Sequence, residues 1–196
     1  MFLDLVKANR SYRGYDPARK VSREELLSLV DCARLTPSAA NRQPLRYYLA
    51  WKPEQLEIIQ PLTRWAAALP ERHLPDPDKV AAAFIVICAD TECTNNLASC
   101  QRDVGIAAQT ILLAAAEAGL GGLMIGNFDA PALSKALELP AHLIPQLVIA
   151  LGKPAEKIVL TEAKKGDDLN YYRDEEDVHY VPKRRLEDIL INGAGE

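Results

Sequence analysis

One segment of this chain, residues 97–118, carries apolar side chains on nearly every face of the helix that its spacing predicts. Val104, Ala108 and Ile111 trace one stripe along it, and further alanines and leucines occupy the neighbouring faces. A helix of this composition is unsuited to water, so we expect it in a hydrophobic core or in an interface. Gly119 follows directly, at the position of a helix C-cap. The rest of the chain must therefore fold around this helix.

Three other apolar runs predict strands that are buried on both faces, because apolar and polar residues do not alternate in them. They cover residues 83–89, 122–126 and 146–151, and an aromatic run at 46–51 predicts a fourth strand. Helical spacing and helix-start signals predict further helices at residues 2–9, 23–34 and 130–137, and one from residue 53 to about residue 59 or 62. A chain of 196 residues with this content is about one domain, which buries roughly 70% of its unfolded surface.

The charge content changes abruptly at Gly152. Seven charged side chains fall within residues 97–153, whereas nineteen fall within residues 153–196. A segment this polar has too little apolar surface to form its own core. We therefore divide the chain into a core, residues 1–152, and a C-terminal arm, residues 153–196, that lies over another surface. The expected anchors of the arm are Tyr171, Tyr172, Val178, Tyr180 and Val181.

The balance of charge and the cysteine pattern argue against several classes of function. Lys plus Arg number 23 and Asp plus Glu 27, a net charge of −4, whereas nucleic-acid-binding proteins carry a concentrated basic surplus. No apolar stretch reaches the roughly 20 residues of a membrane span, and the N-terminus lacks the pattern of a signal peptide. The four cysteines form no CxxC motif and the three histidines lie far apart, so no metal site is expected. We expect a cytoplasmic protein that binds neither nucleic acid nor membrane.

Two small basic clusters are candidates for binding a single phosphate. Arg10, Ser11 and Arg13 place two guanidinium groups and a hydroxyl within four residues, directly after the first predicted helix. Arginine suits bidentate contact with phosphate, and serine adds a short donor. The second cluster, Lys183-Arg184-Arg185, lies in the C-terminal arm. The alternative for Arg10 and Arg13 is a solvated pair with no binding role.

A polar loop between Pro37 and Pro44 is a second candidate site. It contains Ser38, Asn41 and Gln43. Amide side chains both donate and accept hydrogen bonds, which is what the edge of a heteroaromatic ring or a ribityl chain requires. Turn chemistry is the alternative, and it explains Asn41 better than Gln43.

The glycines between Gly119 and Gly126 do not form a dinucleotide-binding fingerprint. Met124 stands where the third glycine of that motif belongs, and the glycines follow a helix and precede a strand, which is the reverse of the required order. A helix C-cap and a tight entry into a strand explain most of them. Gly126, at the far end of the strand, is not needed for either and indicates that the backbone approaches another group closely.

Taken together and in order, these motifs resemble the nitroreductase family of FMN-dependent oxidoreductases. The resemblance covers essentially the whole chain. Besides the two clusters and the loop, it is carried by the segments Asp103–Gln109, Glu117–Gly122, Met124–Gly126, Ala150–Pro154 and Val181–Glu187.

The resemblance implies an α+β fold with a mixed central sheet flanked by helices, in an intertwined homodimer. It also implies that two FMN molecules lie at the dimer interface and that the C-terminal arm reaches over the partner subunit. Both implications agree with the apolar helix at 97–118 and with the polar arm.

The same resemblance assigns cofactor-binding roles to individual residues. Arg10, Ser11 and Arg13 would hold the FMN phosphate, with Lys183 and Arg185 closing the other side. A loop from the second subunit would lie against the ribityl chain and the ring, and Met124, Ile125 and Gly126 would run beside the ring. The loop residues that match are Ser38, Ala39, Asn41 and Gln43.

The implied chemistry belongs mostly to the cofactor. NADH or NADPH would deliver hydride to the flavin N5 and leave, and a small acceptor such as a nitroaromatic or a quinone would then take the electrons, so no catalytic side chain is assigned. Trp65 and Phe128, with the proline-bounded stretch 61–79 as a mobile cover, are expected to shape the acceptor site. Two alternatives remain open. One is a specialised flavin enzyme of the same fold, for reductive dehalogenation or flavin breakdown, and the other is a protein that carries FMN without turnover.

Overall fold

The computed structural model describes residues 1–66, 74–94 and 96–192. These residues divide into two compact units. The first comprises residues 1–65 and 74–155, and the second comprises Ala66 with residues 156–192. Residues 67–73 of the expected cover lie outside the described residues. Within the described ranges, no helix is both long enough and apolar enough to span a membrane.

The first unit is built on a four-stranded sheet. Its strands are β1 (Leu45–Ala50), β2 (Ala83–Asp90), β3 (Gly121–Ile125) and β4 (Leu143–Gly152). The spatial order is β1-β2-β4-β3, and each neighbouring pair is antiparallel. Ser11 adds an isolated parallel bridge to Gly122 at the β3 edge. The predicted α+β fold is confirmed, and each of the four predicted strands is present. The strand pairs of this central sheet are antiparallel, with that bridge as its parallel contact.

Five helices accompany this sheet in the described residues. They are α1 (Phe2–Ala8), α2 (Arg23–Arg34), α3 (Pro53–Ile59), α4 (Leu97–Glu117) and α5 (Ala130–Ala136). The side chains of α2 and α4 pack with Ile85 and Ile87 of β2 on one face of the sheet. Ile59 of α3 and Leu133 of α5 pack with the alternate β2 residues on the opposite face. Every residue of β2 is buried, which confirms the expectation of a strand covered on both sides.

Local capping explains where the helices begin and end. Ser22 Oγ accepts a hydrogen bond from Glu25 N (3.2 Å), and the Glu25 carboxylate accepts one from Ser22 N (2.8 Å), so α2 starts with a complete capping box. A hydrogen bond from Arg19 lowers the pKa of Glu25, which keeps its carboxylate charged for this role. After α4, Gly119 takes φ of +73°, as the sequence predicts for a residue that ends the helix.

The long helix α4 is buried on one side only within this chain. Val104, Ala108 and Ile111 lie in the core beneath it. On the other side Gly105 is exposed, and Ile106 is 41% exposed. Gln101, Arg102 and Gln109 are exposed on the same side, so this side is mixed in character, and the described residues of one chain do not bury it.

The second unit contains a small sheet that the sequence pattern did not predict. Its strands are β5 (Ile158–Ala163), β6 (Tyr172–Arg173) and β7 (His179–Arg184), in the order β5-β7-β6. β5 pairs with β7 in parallel, and β6 pairs with β7 antiparallel. Glu156 and Arg173 form an ion pair whose side chains are each only 5% exposed. Of the expected anchors, Val178 is buried, whereas Tyr172 is half exposed and stacks on Tyr180.

Candidate functional site

The first basic cluster is fixed against the edge of β3. Tyr12 N donates a hydrogen bond to Gly122 O (3.1 Å), next to the bridge between Ser11 and Gly122. Gly121 and Gly122 have no side chains, and a Cβ atom at Gly121 would collide with the Tyr12 ring. The glycines after α4 therefore let the segment 10–13 lie directly on the strand.

The two arginines of this cluster point into partly buried surroundings. A terminal guanidinium nitrogen of Arg10 donates to Val6 O (2.7 Å), while its Nε is buried and has no hydrogen-bond partner among the described residues. Arg13 is 8% exposed, and its guanidinium donates to Ser11 O (3.3 Å). Ser11 itself is exposed. Two cations beside an exposed hydroxyl form a donor set suited to a phosphate, and the unused buried Nε of Arg10 favours this over a solvated pair.

A buried tyrosine fixes the chain just after the cluster. Tyr15 is fully buried, and its hydroxyl donates to Tyr12 O (2.8 Å). A Cβ atom at Gly152 would lie 2.8 Å from the Tyr15 ring, so this glycine makes room for the ring beside β4. Lys153 also pairs with Asp16 (3.1 Å). The candidate phosphate site is thus attached to the sheet from both of its ends.

The polar loop is held by a carboxylate of α4. Ser38 Oγ donates to Asp103 Oδ2 (2.8 Å), and Ala39 N donates to Asp103 Oδ1 (3.3 Å). Gln43 N in turn donates to Ser38 Oγ (3.0 Å). Asp103 is 5% exposed, and its charge adds to the effect of burial in raising the pKa of Tyr47. Asp103 was not among the site residues predicted from the sequence. An acidic residue beside the apolar stripe of α4 could have indicated a buried carboxylate with a specific partner.

The backbone of this loop is unusual for the residues it contains. Ala40, Asn41 and Gln43 all have φ near +50°, a left-handed conformation that costs roughly 1–3 kcal/mol for each non-glycine residue. Gln43 Nε2 donates to Asn41 Oδ1 (3.1 Å), and the exposed side chains of both amides stand on the outer side of the loop. Ser38, Gln43 and Asp103 line a cleft of about 160 Å³. A strained backbone conformation is retained only where contacts with the surrounding structure hold it in place, and such residues are common at binding sites.

The end of β3 presents an open stretch of backbone. Met124 is half-buried, Ile125 is buried and Gly126 is exposed. No atom in the described residues lies within 4 Å of the position that a Cβ of Gly126 would occupy, and its φ is not in the left-handed region. Nothing in the described chain therefore requires glycine at this position, which supports the interpretation that the backbone is kept clear for another group.

The segment after β3 is tied to the residues that follow α3. Arg64 N donates to Asn127 O (2.9 Å), and Asp129 N donates to Leu62 O (3.0 Å). Thr63 and Phe128 form an isolated β-bridge between these hydrogen bonds. The side chain of Phe128 is therefore held next to the open backbone of β3.

Trp65 is fixed in the same neighbourhood. Its Nε1 donates to Thr63 Oγ1 (2.8 Å), and its ring meets the Tyr15 ring edge-on with centroids 6.5 Å apart. The side chain is half-buried, so one part of the indole packs and another part faces outward. An aromatic wall of Trp65 and Phe128 beside β3 is consistent with their expected role in shaping an acceptor site, which remains a prediction.

The loop at 38–43 and the segment 124–126 lie at opposite edges of the sheet. Ile125 pairs with Val148, Val148 with Val86, and Val86 with Tyr48, so the end of β3 is level with the middle of β1 and points toward the end where Leu45 begins. β2 and β4 lie between β1 and β3. At a spacing of about 4.8 Å between strands, this separates the two edges by roughly 14 Å.

The second basic cluster belongs to the second unit. Lys183 and Arg184 are exposed. Arg185 pairs with Glu187 (3.2 Å) and with Asp188 (3.0 Å), and the hydrogen bond from Arg185 lowers the pKa of Asp188. The guanidinium of Arg185 is thus shared with two carboxylates, which leaves Lys183 and Arg184 as the more available cations of the cluster. The role of Lys183 and Arg185 at a phosphate remains a prediction.

A group of potential metal ligands lies at the end of β2. Single ligand atoms of Asp90, Glu92 and His142 fall within 4.8 Å of one another. Asp90 Oδ2 is already paired with Arg46 (2.9 Å), and its Oδ1 accepts a hydrogen bond from Glu92 N (2.9 Å). Burial would raise the pKa of Asp90, but these partners outweigh it and lower the pKa. An ion pair and a turn explain this cluster without a metal.

Comparison with known proteins is consistent with this arrangement. A sequence model of the Nitroreductase family matches residues 6–153. A relative from Methanothermobacter thermautotrophicus is 31% identical over 158 residues, which cover 79% of this chain and 78% of that protein, and has the provisional name NADH dehydrogenase/NAD(P)H nitroreductase.

Solved structures show the same fold over most of the chain. A protein from Desulfovibrio desulfuricans, provisionally described as a nitroreductase in complex with FMN, has a TM-score of 0.71 at 25% identity and covers 97% of this chain and 95% of its own. A protein from Parabacteroides distasonis, with the same provisional name as the Methanothermobacter relative, has a TM-score of 0.64 at 27% identity, over 79% of this chain and 88% of its own. The family match spans the basic cluster, the polar loop and the open end of β3, and the chain belongs to the nitroreductase family.

Proposed function

We propose that this protein binds FMN and uses it to transfer hydride from NADH or NADPH to a small electron-poor acceptor, in a ping-pong cycle. Nitroaromatics and quinones are the acceptors of this class. The observation that carries the proposal is the layout of one strand, with the arginine pair at the start of β3 and the open backbone of Gly126 after its end. The provisional names of the relatives and the FMN complex of the Desulfovibrio protein support it.

The residues of the first cluster fit the phosphate of FMN. Arg10 and Arg13 would neutralise a phosphate, and the exposed hydroxyl of Ser11 would donate a further hydrogen bond. The buried Nε of Arg10, which has no hydrogen-bond partner in the described part of the chain, would gain an acceptor. This pairing would remove the cost of leaving a buried donor unsatisfied.

The residues near the other end of β3 fit a planar ring. Met124 and Ile125 lead the backbone to Gly126, where the absence of a side chain leaves space for close approach. Asn41 and Gln43 expose amide groups that can match the donors and acceptors of a flavin or of its ribityl chain. These two groups of residues lie at opposite edges of the sheet, as described above.

We infer from that separation that the cofactor lies between two copies of the chain. One copy would supply the phosphate cluster and the β3 segment, and its partner would supply the loop with Ser38 and Ala39. The exposed side of α4, where Gly105 and Ile106 lie among Gln101, Arg102 and Gln109, offers a surface of mixed character for such a homodimer. The exposed apolar residues of the second unit, such as Ile189 at 59%, fit a C-terminal arm that reaches over the partner.

When bound, FMN supplies the two-electron chemistry that no side chain can provide. The role of the protein would be to hold the cofactor and to leave one face of its ring open. The donor and the acceptor would use that face in turn. Trp65 and Phe128 stand beside the strand where this face would lie, and we assign the acceptor wall to them. We assign no side chain as an acid or a base, and the proton that accompanies the hydride when the acceptor is reduced would come from solvent.

The test is reconstitution of the full-length protein with FMN, followed by anaerobic addition of NADH or NADPH. We expect a yellow protein whose visible absorbance is lost on reduction and restored by a nitrofuran or a benzoquinone. A protein that neither contains nor takes up FMN would refute the proposal.

The two alternatives give different results in the same experiment. Bound FMN that NADH and NADPH fail to reduce would indicate a carrier of FMN. Rapid reduction without turnover of either acceptor would indicate a specialised enzyme.

The same proposal places the protein in the cytoplasm as a homodimer. All four cysteines are free thiols in the structure, and Cys88 and Cys100 are buried, which suits a reducing compartment. Sedimentation velocity across a dilution series tests the dimer. A single species with the mass of one chain at all concentrations, with FMN present, would contradict it.

A further inference from the structure

The carboxylate of Asp103 is the central acceptor of the polar loop. It is 5% exposed, and its two oxygens accept hydrogen bonds from Ser38 Oγ (2.8 Å) and Ala39 N (3.3 Å). Both donors come from the start of the loop. A buried carboxylate needs such donors, so the loop and the helix are mutually dependent.

Ser38 extends this contact to the far end of the loop. A serine hydroxyl has one hydrogen to donate and lone pairs that accept. The hydrogen of Ser38 goes to Asp103, and one lone pair accepts from Gln43 N (3.0 Å). Residues 38 and 43 are thereby joined at one oxygen atom, whose orientation is set by Asp103.

The residues enclosed by this link have the left-handed backbone. Ala40 and Asn41 lie between the two joined positions, and Gln43 is at the second of them. Alanine and glutamine have no intrinsic preference for positive φ, so contacts with the rest of the protein must hold them there. Asp103 supplies such contacts, because its two hydrogen bonds connect this loop to α4.

We propose that Asp103 is a positioning residue for the cofactor. It acts through Ser38 to hold the backbone of residues 38–43 in the shape in which the Asn41 and Gln43 amides meet FMN. This proposal rests on the proposed function, because the loop is assigned to FMN there. Asp103 does not itself touch the cofactor in this scheme.

The first measurement does not involve FMN. Amide hydrogen exchange of the full-length apoprotein is compared between wild type and Asp103→Asn, with Glu117→Gln as a matched loss of an exposed carboxylate from the same helix. We expect exchange to rise about tenfold at residues 39–43 in Asp103→Asn and to stay unchanged in the β-sheet. Unchanged exchange in the loop would overturn the proposal, and so would an equal rise throughout α4 and the sheet.

The second measurement is FMN affinity, followed by the quenching of flavin fluorescence. Asp103→Ala removes the acceptor for both donors and is expected to weaken binding about tenfold to a hundredfold, whereas Asp103→Asn retains one acceptor and should weaken it less. Ser38→Ala should resemble Asp103→Ala, and Ser38→Thr, which keeps the hydroxyl, should restore most of the affinity. Glu117→Gln should bind as wild type does.

The double variant Ser38→Ala/Asp103→Ala tests whether Asp103 affects FMN binding through Ser38 or independently of it. Because Asp103 acts through Ser38, we expect the double variant to bind FMN about as well as the weaker single variant. Losses that multiply, or an Asp103→Ala protein with wild-type affinity, would overturn the proposal. Should Asp103→Ala fail to fold, Asp103→Asn takes its place in the cycle. If wild type binds no FMN, the proposed function fails, while the exchange data still decide whether Asp103 holds the loop.

Discussion

Replacing Gly122 by alanine tests how tightly β3 is packed between α4 and β4. The new Cβ would lie 2.5 Å from Leu112 Cδ2 and 2.6 Å from the carbonyl oxygen of Ala150. The leucine can rotate, but the carbonyl belongs to the buried second half of β4. β3 must therefore move away by about half an ångström, and overpacking of this size costs about 1–3 kcal/mol.

The assay is urea unfolding of the apoprotein, followed by tryptophan fluorescence and circular dichroism at one protein concentration. We expect the midpoint to fall without a change in slope, and the melting temperature to fall by about 2–10 °C. Gly126→Ala is the matched control, because it adds the same methyl group at an exposed glycine outside the helices, where no described atom lies within 4 Å of the Cβ position. A stability loss below about 0.5 kcal/mol in Gly122→Ala would refute the packing argument.

Three further predictions concern the site and the thiols. Gly126→Ala should leave the stability of the apoprotein within about 0.5 kcal/mol of wild type but weaken FMN binding, because the described chain leaves that Cβ position empty; equal FMN affinity would contradict close approach of the cofactor. Arg13→Ala should weaken FMN binding about tenfold to a hundredfold by removing a charge-assisted contact, with less effect on hydride transfer at saturating FMN; titration and stopped-flow reduction measure the two. Burial raises the pKa of the Cys88 thiol to about 12, so a thiol reagent at pH 8 should label exposed Cys32 and spare Cys88. The ordinary pKa of the thiol is about 9, so above pH 9 the unfolded chain loses this proton while the folded protein keeps it. The stabilisation from the buried neutral thiol should therefore be complete below pH 9 and decline above it, and the free energy of unfolding measured across that range should fall as the pH rises.

The elements that the sequence specifies locally were the most predictable. α2 has the predicted bounds because Ser22 and Glu25 form the capping box that their spacing indicates. β2 has no polar residue between Ala83 and Ala89, and only a strand between two packed layers suits such a run. The signals for these elements lie within a few residues of one another, so no knowledge of distant contacts was needed.

The parts that depend on distant contacts could not be predicted in the same way. The strands of the second unit pair residues that are far apart in the sequence, and a buried ion pair joins Glu156 to Arg173, 17 positions away. The left-handed conformation of Ala40 has no sequence signal, because alanine does not favour it, and it depends on neighbouring contacts such as those of Asp103. Family resemblance supplied the candidate site residues, whereas the strand order revealed that they lie at two edges of the sheet.

The strand order β1-β2-β4-β3 has a genetic consequence if the proposed dimer forms. A chain with a damaged phosphate cluster, such as Arg13→Ala, still has an intact loop to offer its partner. A Ser38→Ala chain has the opposite defect. A mixed dimer of the two would contain one site with both defects and one site with neither, so coexpression would restore about a quarter of the sites after random pairing. Two alleles that each weaken FMN binding, one in the phosphate cluster and one in the loop, should therefore complement each other in one cell.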